Sequence, residues 1–220
     1  SSNQTQSTPI NLINPNRKLS MKKLILTVLL SLSGVVAATA QPMCCYNPVL
    51  NCIATRTSVR QYAPTAIPDS VTTTLLQAAM CAPSAVNKQP WEFITVTNPE
   101  VRNAIKQAIP NSHAAKAPLC IVVCGDMNQA LEGQARDFWV QDCSAATQNI
   151  LLAAHSMGLG GVWCGVYPNT DRCEALRKVL KIPANVIPLN VVCLGYPDPN
   201  APAPTPKDKF KPAKIHVNAW

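Results

Sequence analysis

The amino-acid sequence predicts a single domain that mixes α-helices with β-strands. Two observations carry that reading: helix-period and strand-like segments of ordinary length follow one another along the chain, and 47% of its 220 residues are apolar, enough to bury a core. A third sets the limits: the two ends of the chain depart in composition from the body between them.

Helical signals fall at 47–55, 68–81, 99–108, 134–158 and 170–180, and strand signals at 92–97, 119–125, 161–166 and 187–195. In "DSVTTTLLQAAM", Val71, Leu75, Leu76 and Ala79 share one helical face. "WEFITVT" is dominated by aromatic and β-branched residues, as a strand requires. The connection between them, "CAPSAVNKQPWEF", holds two prolines, a Ser, an Asn, a Lys and a Gln, more polar chemistry than a turn needs. "LCIVVCG" and "VVCLG" read as buried strands in which Cys120, Cys124 and Cys193 act as small hydrophobes. The longest helical stretch places Trp139, Cys143, Ala146, Ile150, Ala153 and Met157 on one stripe and stops at Gly158, a natural C-terminal glycine. Its many Ala and Ser residues suit close packing by a neighbour. The tail "GYPDPNAPAPTPKDKFKP" is proline-rich, hence extended and unable to join a sheet interior.

"MKKLILTVLLSLSGVVAATAQ" joins two lysines, an apolar run from Leu24 to Val36, and Ala38 and Ala40 before Gln41, the pattern of a secretory signal peptide. The expected division is therefore an upstream segment 1–20, a signal peptide 21–40 starting at Met21, and one domain 41–220. The expected location is exported, in a periplasm, with no stable membrane insertion after cleavage. Arg17, Lys18, Lys22 and Lys23 supply four of the +8 net charges, leaving +4, and "KDKFKPAK" (Lys207 to Lys214) holds +3 of that. The body is nearly neutral. Without a basic helix, zinc-finger spacing or aromatic-basic interleaving, nucleic acid is not an expected partner, and a small anion suits the local cluster better.

Ten cysteines in an exported chain are compatible with disulfides, but the placement of Cys120, Cys124 and Cys193 inside apolar runs argues against a full framework. Cys44, Cys45 and Cys52 leave one local or intermolecular bridge open. No two CxxC pairs occur and the three histidines are far apart in sequence, so no metal ligand set is expected. Glu92 and Asp142 have no partner at acid–base spacing, and Asp142 reads as a helix or dimer contact. His155 and His216 read as structural, and Cys81 and Cys164 lack a nearby His that would activate a nucleophile. Trp139 reads equally as a pocket wall or as core.

"TRTSVRQY" puts Arg56, Ser58 and Arg60 at alternate positions, so in an extended segment two guanidinium groups and a hydroxyl converge on one side. That set suits a phosphate, and two solvated arginines are the bland alternative. In chain order, "RTSVRQY", "APSAVNKQPW", "GLGGVWCGVY" and "PKDKFKP" resemble the nitroreductase family of FMN-dependent oxidoreductases over about residues 47 to 220. "PSAVNKQPW" is the more specific of the four.

The resemblance implies an α+β fold, three-layered α/β/α around a mixed central sheet, in a homodimer. It implies that Arg56, Ser58 and Arg60 hold the FMN phosphate, ribityl chain and pyrimidine edge, with Lys207 and Lys209 also on the phosphate. Pro83, Ser84, Ala85 and Asn87 match a turn that lies on the isoalloxazine ring of the other subunit. Trp163, Cys164 and Gly165 match a strand whose backbone faces flavin N5. His113 stands where the family often carries a basic residue; protonated, it would stabilise a reduced flavin, and neutral, it would donate a hydrogen bond, a loop histidine being the alternative. Gly165 stands where some relatives carry a glutamate.

The implied activity is a ping-pong transfer of two electrons from NADH or NADPH to a small aromatic acceptor, a nitroaromatic or a quinone. The cofactor does that chemistry, so no catalytic side chain is expected. A flavin-dependent dehalogenase or dehydrogenase on the same scaffold is the alternative enzyme, marked by a lid over the flavin. An exported flavin-binding protein without turnover is the alternative of another class, marked by yellow colour without nicotinamide oxidation.

Overall fold

The computed structural model describes residues 47–220. The expected segments 1–20 and 21–40, with Cys44 and Cys45, lie outside the described residues. In chain order the elements are α1 (Pro48–Thr55), α2 (Asp69–Met80), β1 (Trp91–Val96), α3 (Pro99–Ala108), β2 (Leu119–Asp126), α4 (Phe138–Ser156), β3 (Gly160–Gly165), α5 (Thr170–Leu180) and β4 (Val186–Gly195).

Local chemistry starts and stops these elements. Asn47 caps α1, its side-chain oxygen accepting from the amides of Val49 and Leu50, with a proline at the first helical position. Asn98 and Pro99 repeat the device at α3, and Asn169 caps α5 through the Arg172 amide. At the end of α4, Gly158 takes φ +77°. The Gly158 amide then donates to the His155 carbonyl (3.1 Å) and the Leu159 amide to the Ala154 carbonyl (2.8 Å), closing the helix. The helix expected over 134–158 begins later, at Phe138, and its apolar stripe from Trp139 lies within it: Gly133 sits at φ +59°, and Gly133–Asp137 form a 3₁₀ segment before α4.

The four strands make one sheet in the order β1-β2-β4-β3, every neighbouring pair antiparallel. β2 and β4, the central strands, are buried on both faces. Alternation along β2 sends Leu119, Ile121 and Val123 into a core with α2 and α4. Cys120, Val122 and Cys124 go to the opposite core with Ile105 and Ile109 beyond the sheet and Leu176 of α5. Helices thus cover both faces, giving the expected three-layer α+β architecture. The expected mixed sheet is met only at one edge. There Ser58 forms a parallel bridge with Gly161, and the Val59 amide donates to the Gly161 carbonyl at 3.1 Å.

Gly160 lets that segment approach: a Cβ at this position would lie 2.5 Å from the Val59 Cβ. Tyr62 fastens the segment's end, its hydroxyl donating to the carbonyls of Val59 (2.7 Å) and Cys193 (3.1 Å). Beyond Gly195 the chain runs without a named helix or strand until a 3₁₀ turn at Pro212–Lys214, as its prolines require.

Candidate functional site

The segment beside β3 and the tail meet. Arg56, Thr57, Ser58 and Arg60 line a cleft of about 740 Å³ whose other wall is the tail, including Lys207, Asp208 and Lys209. Residues at opposite ends of the described chain thereby surround one space with four cations and one carboxylate. A dianion is the ligand that such a donor set fits.

Arg60 also lines a second cavity of about 200 Å³, with Asn111, His113, Trp163, Cys164, Gly165 and Arg172. The two spaces therefore adjoin at one guanidinium. β3 makes a wall of this cavity by alternation: Trp163 is 37% exposed and Gly165 is exposed, while Cys164 is buried. A Cβ built on Gly165 would meet no atom within 4 Å, so open space lies against its backbone. His113 is held below the ordinary histidine pKa, first by burial and then by Arg60, Lys106 and Lys116. It is therefore neutral near pH 7.

Cys164 supplies no thiolate. Its sulfur lies 3.9 Å from that of Cys193, and this contact, followed by burial, pushes its pKa well above that of an ordinary thiol. The eight described cysteines are all unbridged, Cys52 among them. Trp139 packs in the core, edge-on to Tyr167 at 4.9 Å. That decides between the two readings of this residue. His155 ties α4 to α1 through a 2.9 Å hydrogen bond with the Thr55 hydroxyl, and His216 stacks on Trp220.

The turn Pro83, Ser84, Ala85 and Asn87 lines neither space. Its backbone is unusual: Val86, Asn87 and Gln89 have φ of +50°, +55° and +51°. The Ser84 hydroxyl accepts from the Gln89 amide (2.9 Å). Asp142, 6% exposed on α4, accepts from the Ala85 amide at 2.8 Å. Asp142 is thus a helix-to-turn contact within the chain. Val86, at a φ that β-branched residues avoid, is 80% exposed.

Sequence reasoning missed Arg172 and Asn111. Arg172 stands in the first turn of α5 and donates to the Gly165 carbonyl at 3.2 Å. Apolar periodicity carries no trace of it; only the Asn169 cap, which fixes where α5 starts, pointed to its position.

The nitroreductase family profile matches residues 53–112 and 106–196. A protein of Methanothermobacter thermautotrophicus named as an NADH dehydrogenase/NAD(P)H nitroreductase is 49% identical over 173 residues, 78% of this chain and 87% of its own length. A crystal structure of a protein named likewise, from Parabacteroides distasonis, superposes with a TM-score of 0.73 at 41% identity, covering 79% of this chain and 99% of that one. The NADPH:FMN oxidoreductase of Vibrio harveyi, solved with NAD+, gives a TM-score of 0.70 at 29% identity over 79% of this chain and 78% of its own. With its three-layer fold and a profile match running through both the 56–60 segment and β3, this chain belongs to the nitroreductase family.

Proposed function

We propose that this protein is an FMN-dependent oxidoreductase that takes two electrons from NADH or NADPH and delivers them, in a ping-pong cycle, to a small aromatic acceptor such as a nitroaromatic or a quinone. The observation that carries this reading is the pair of adjoining spaces joined at Arg60: one surrounded by cations, the other walled by Trp163 and the open backbone of Gly165. A molecule with a phosphate at one end and a flat ring at the other fits that pair. When bound, FMN supplies a ring that accepts and returns a hydride at N5.

The protein's part is to bind and orient. Arg56, Arg60, Lys207 and Lys209 hold the phosphate, and Ser58 adds a hydroxyl beside it. Arg60 and neutral His113 hydrogen-bond the polar edge of the ring, and the glycine at 165 leaves room against its face. We propose the homodimer on two further grounds. The strained turn lines neither of the two cavities described above, and Val49, Leu50, Ile53, Phe210 and Val217 are exposed apolar groups on α1 and the tail that a second copy would cover. Export rests on the leader pattern at 21–40 alone. Among the described residues, no helix is long and apolar enough to cross a membrane.

The test is the visible spectrum and flavin content of the purified protein. An oxidised-flavin spectrum, with FMN bound far more tightly than riboflavin, supports the reading. A colourless protein that takes up no added FMN overturns it. Light scattering tests the shared site: a stable monomer carrying one tightly bound FMN excludes it.

A further inference from the structure

The smaller cavity holds more positive charge than the ring of a flavin accounts for. Its lining includes two guanidinium groups, Arg60 and Arg172, and no carboxylate. Among the described residues neither arginine has an acidic partner within salt-bridge distance, the one ion pair there being Arg177 with Glu174. The phosphate of a mononucleotide does not explain Arg172, because the adjoining cleft has its own cations and Arg172 is not on its lining. Arg172 stands instead in the first turn of α5 and donates to the carbonyl of Gly165, the last residue of β3, two residues beyond the exposed Trp163.

An unpaired guanidinium beside a half-exposed indole is a recognition set for an aromatic ring that carries an anionic group. The indole offers a face on which a ring stacks. The guanidinium keeps donors beyond the one given to Gly165, and its fork matches a carboxylate.

We infer that Arg172 makes the electron acceptor an aromatic carboxylate, with Trp163 receiving its ring and Arg172 its anion. This rests on the flavin reading proposed above and specifies the acceptor for that site. With a nitroaromatic carboxylate the overall step balances as Ar–NO2 + NAD(P)H + H+ → Ar–NO + NAD(P)+ + H2O. The carboxylate takes no part in the chemistry and serves only to bind and orient the nitro group.

The experiment uses the FMN-loaded protein and two matched pairs of probes. Benzoate and benzamide, titrated calorimetrically, report binding without turnover. 4-Nitrobenzoate and 4-nitrobenzamide report kcat/KM. The expected result is that benzoate binds more tightly than benzamide, with an affinity that falls as salt rises. Arg172→Gln should reduce the anionic-to-neutral preference by about 10- to 100-fold in both assays, through KM more than kcat, and Arg172→Lys should restore part of it. Benzoate and benzamide binding alike to the unmodified protein would overturn the proposal. So would an Arg172→Gln effect equal on both probes, which marks a structural role, or one confined to flavin reduction by NADPH, which assigns the guanidinium to the donor's phosphate. A protein that takes up no FMN fails earlier and visibly, at the flavin spectrum, and overturns both readings together.

Discussion

The extended segment 56–60 and the turn 83–89 are two parts of the molecule that we propose meet one ligand, and they are built on opposite principles. The first has ordinary extended geometry, lies along the edge of β3, and is held by a single parallel bridge and the Tyr62 hydroxyl. Its Arg and Ser side chains reach a cleft within their own subunit. The second is strained, with three non-glycine residues at positive φ, and is held by the buried Asp142 carboxylate on a helix distant in sequence. It lines neither of the two cavities described above. A binding surface that serves its own chain needs only an edge to lie on. One presented outward has to carry its conformation with it, and the carboxylate of Asp142 secures it.

Changes on either side should separate the two. The largest effect is expected from Arg56→Ala, which removes the proposed charge-assisted contact with the phosphate and should lower FMN affinity by about 1.5–3 kcal/mol with little change in the apo-protein's melting temperature. An unchanged Kd, read by flavin fluorescence, would remove the 56–60 segment from the site. Asp142→Ala acts on the other region. Freeing the Ala85 amide and the turn should cost about 1–2 kcal/mol in stability and weaken FMN binding as well, whereas Asp142→Asn, which keeps an acceptor oxygen, should cost less. Equal losses for the two variants in thermal unfolding and flavin titration would show that the hydrogen bond does not hold the turn.

A smaller effect of opposite sign is expected from Val86→Asn. Asparagine tolerates the left-handed region, and the exposed valine buries little, so the substitution should gain about 1 kcal/mol at most, a rise of a few degrees in Tm. A fall in Tm would show that the valine side chain is covered in solution, as the dimer proposal allows.

The smallest effect comes from His113. Its folded-state pKa is depressed, so as pH falls through the ordinary histidine value near 6.5 the unfolded chain takes up a proton before the folded one does. Stability is therefore full above that pH and declines below it. His113→Gln should flatten that part of the profile. Unchanged curvature between pH 7 and 5 would mean that other groups produce it.

Much of this was legible along the chain because it depends on neighbours in sequence. Apolar period and β-branched content located the five α-helices and four strands of the described residues. Gly158 placed the end of α4, since it acts on backbone groups within a turn. Alternation of Arg56, Ser58 and Arg60 was also legible, because in an extended segment it needs no partner to put three side chains on one side. The "PSAVNKQPW" turn announced itself by its polar excess, although nothing in it foretold which residues take positive φ.

Where segments distant in sequence meet was decided only by the tertiary structure. The tail lysines join Arg56 and Arg60 because a proline-rich chain, barred from the sheet interior, crosses the surface beside the edge segment. Asp142 reaches Ala85 because α4 packs beside that turn, and a lone carboxylate in a helix carries no mark of the amide it will bind. Trp139 became core and Trp163 a cavity wall for the same reason. Sequence alone determined the elements and the chemistry each carries, since propensity, capping and alternation are local; the pairing of that chemistry into two adjoining cavities was set by the order of strands in the sheet, which is a property of long-range packing.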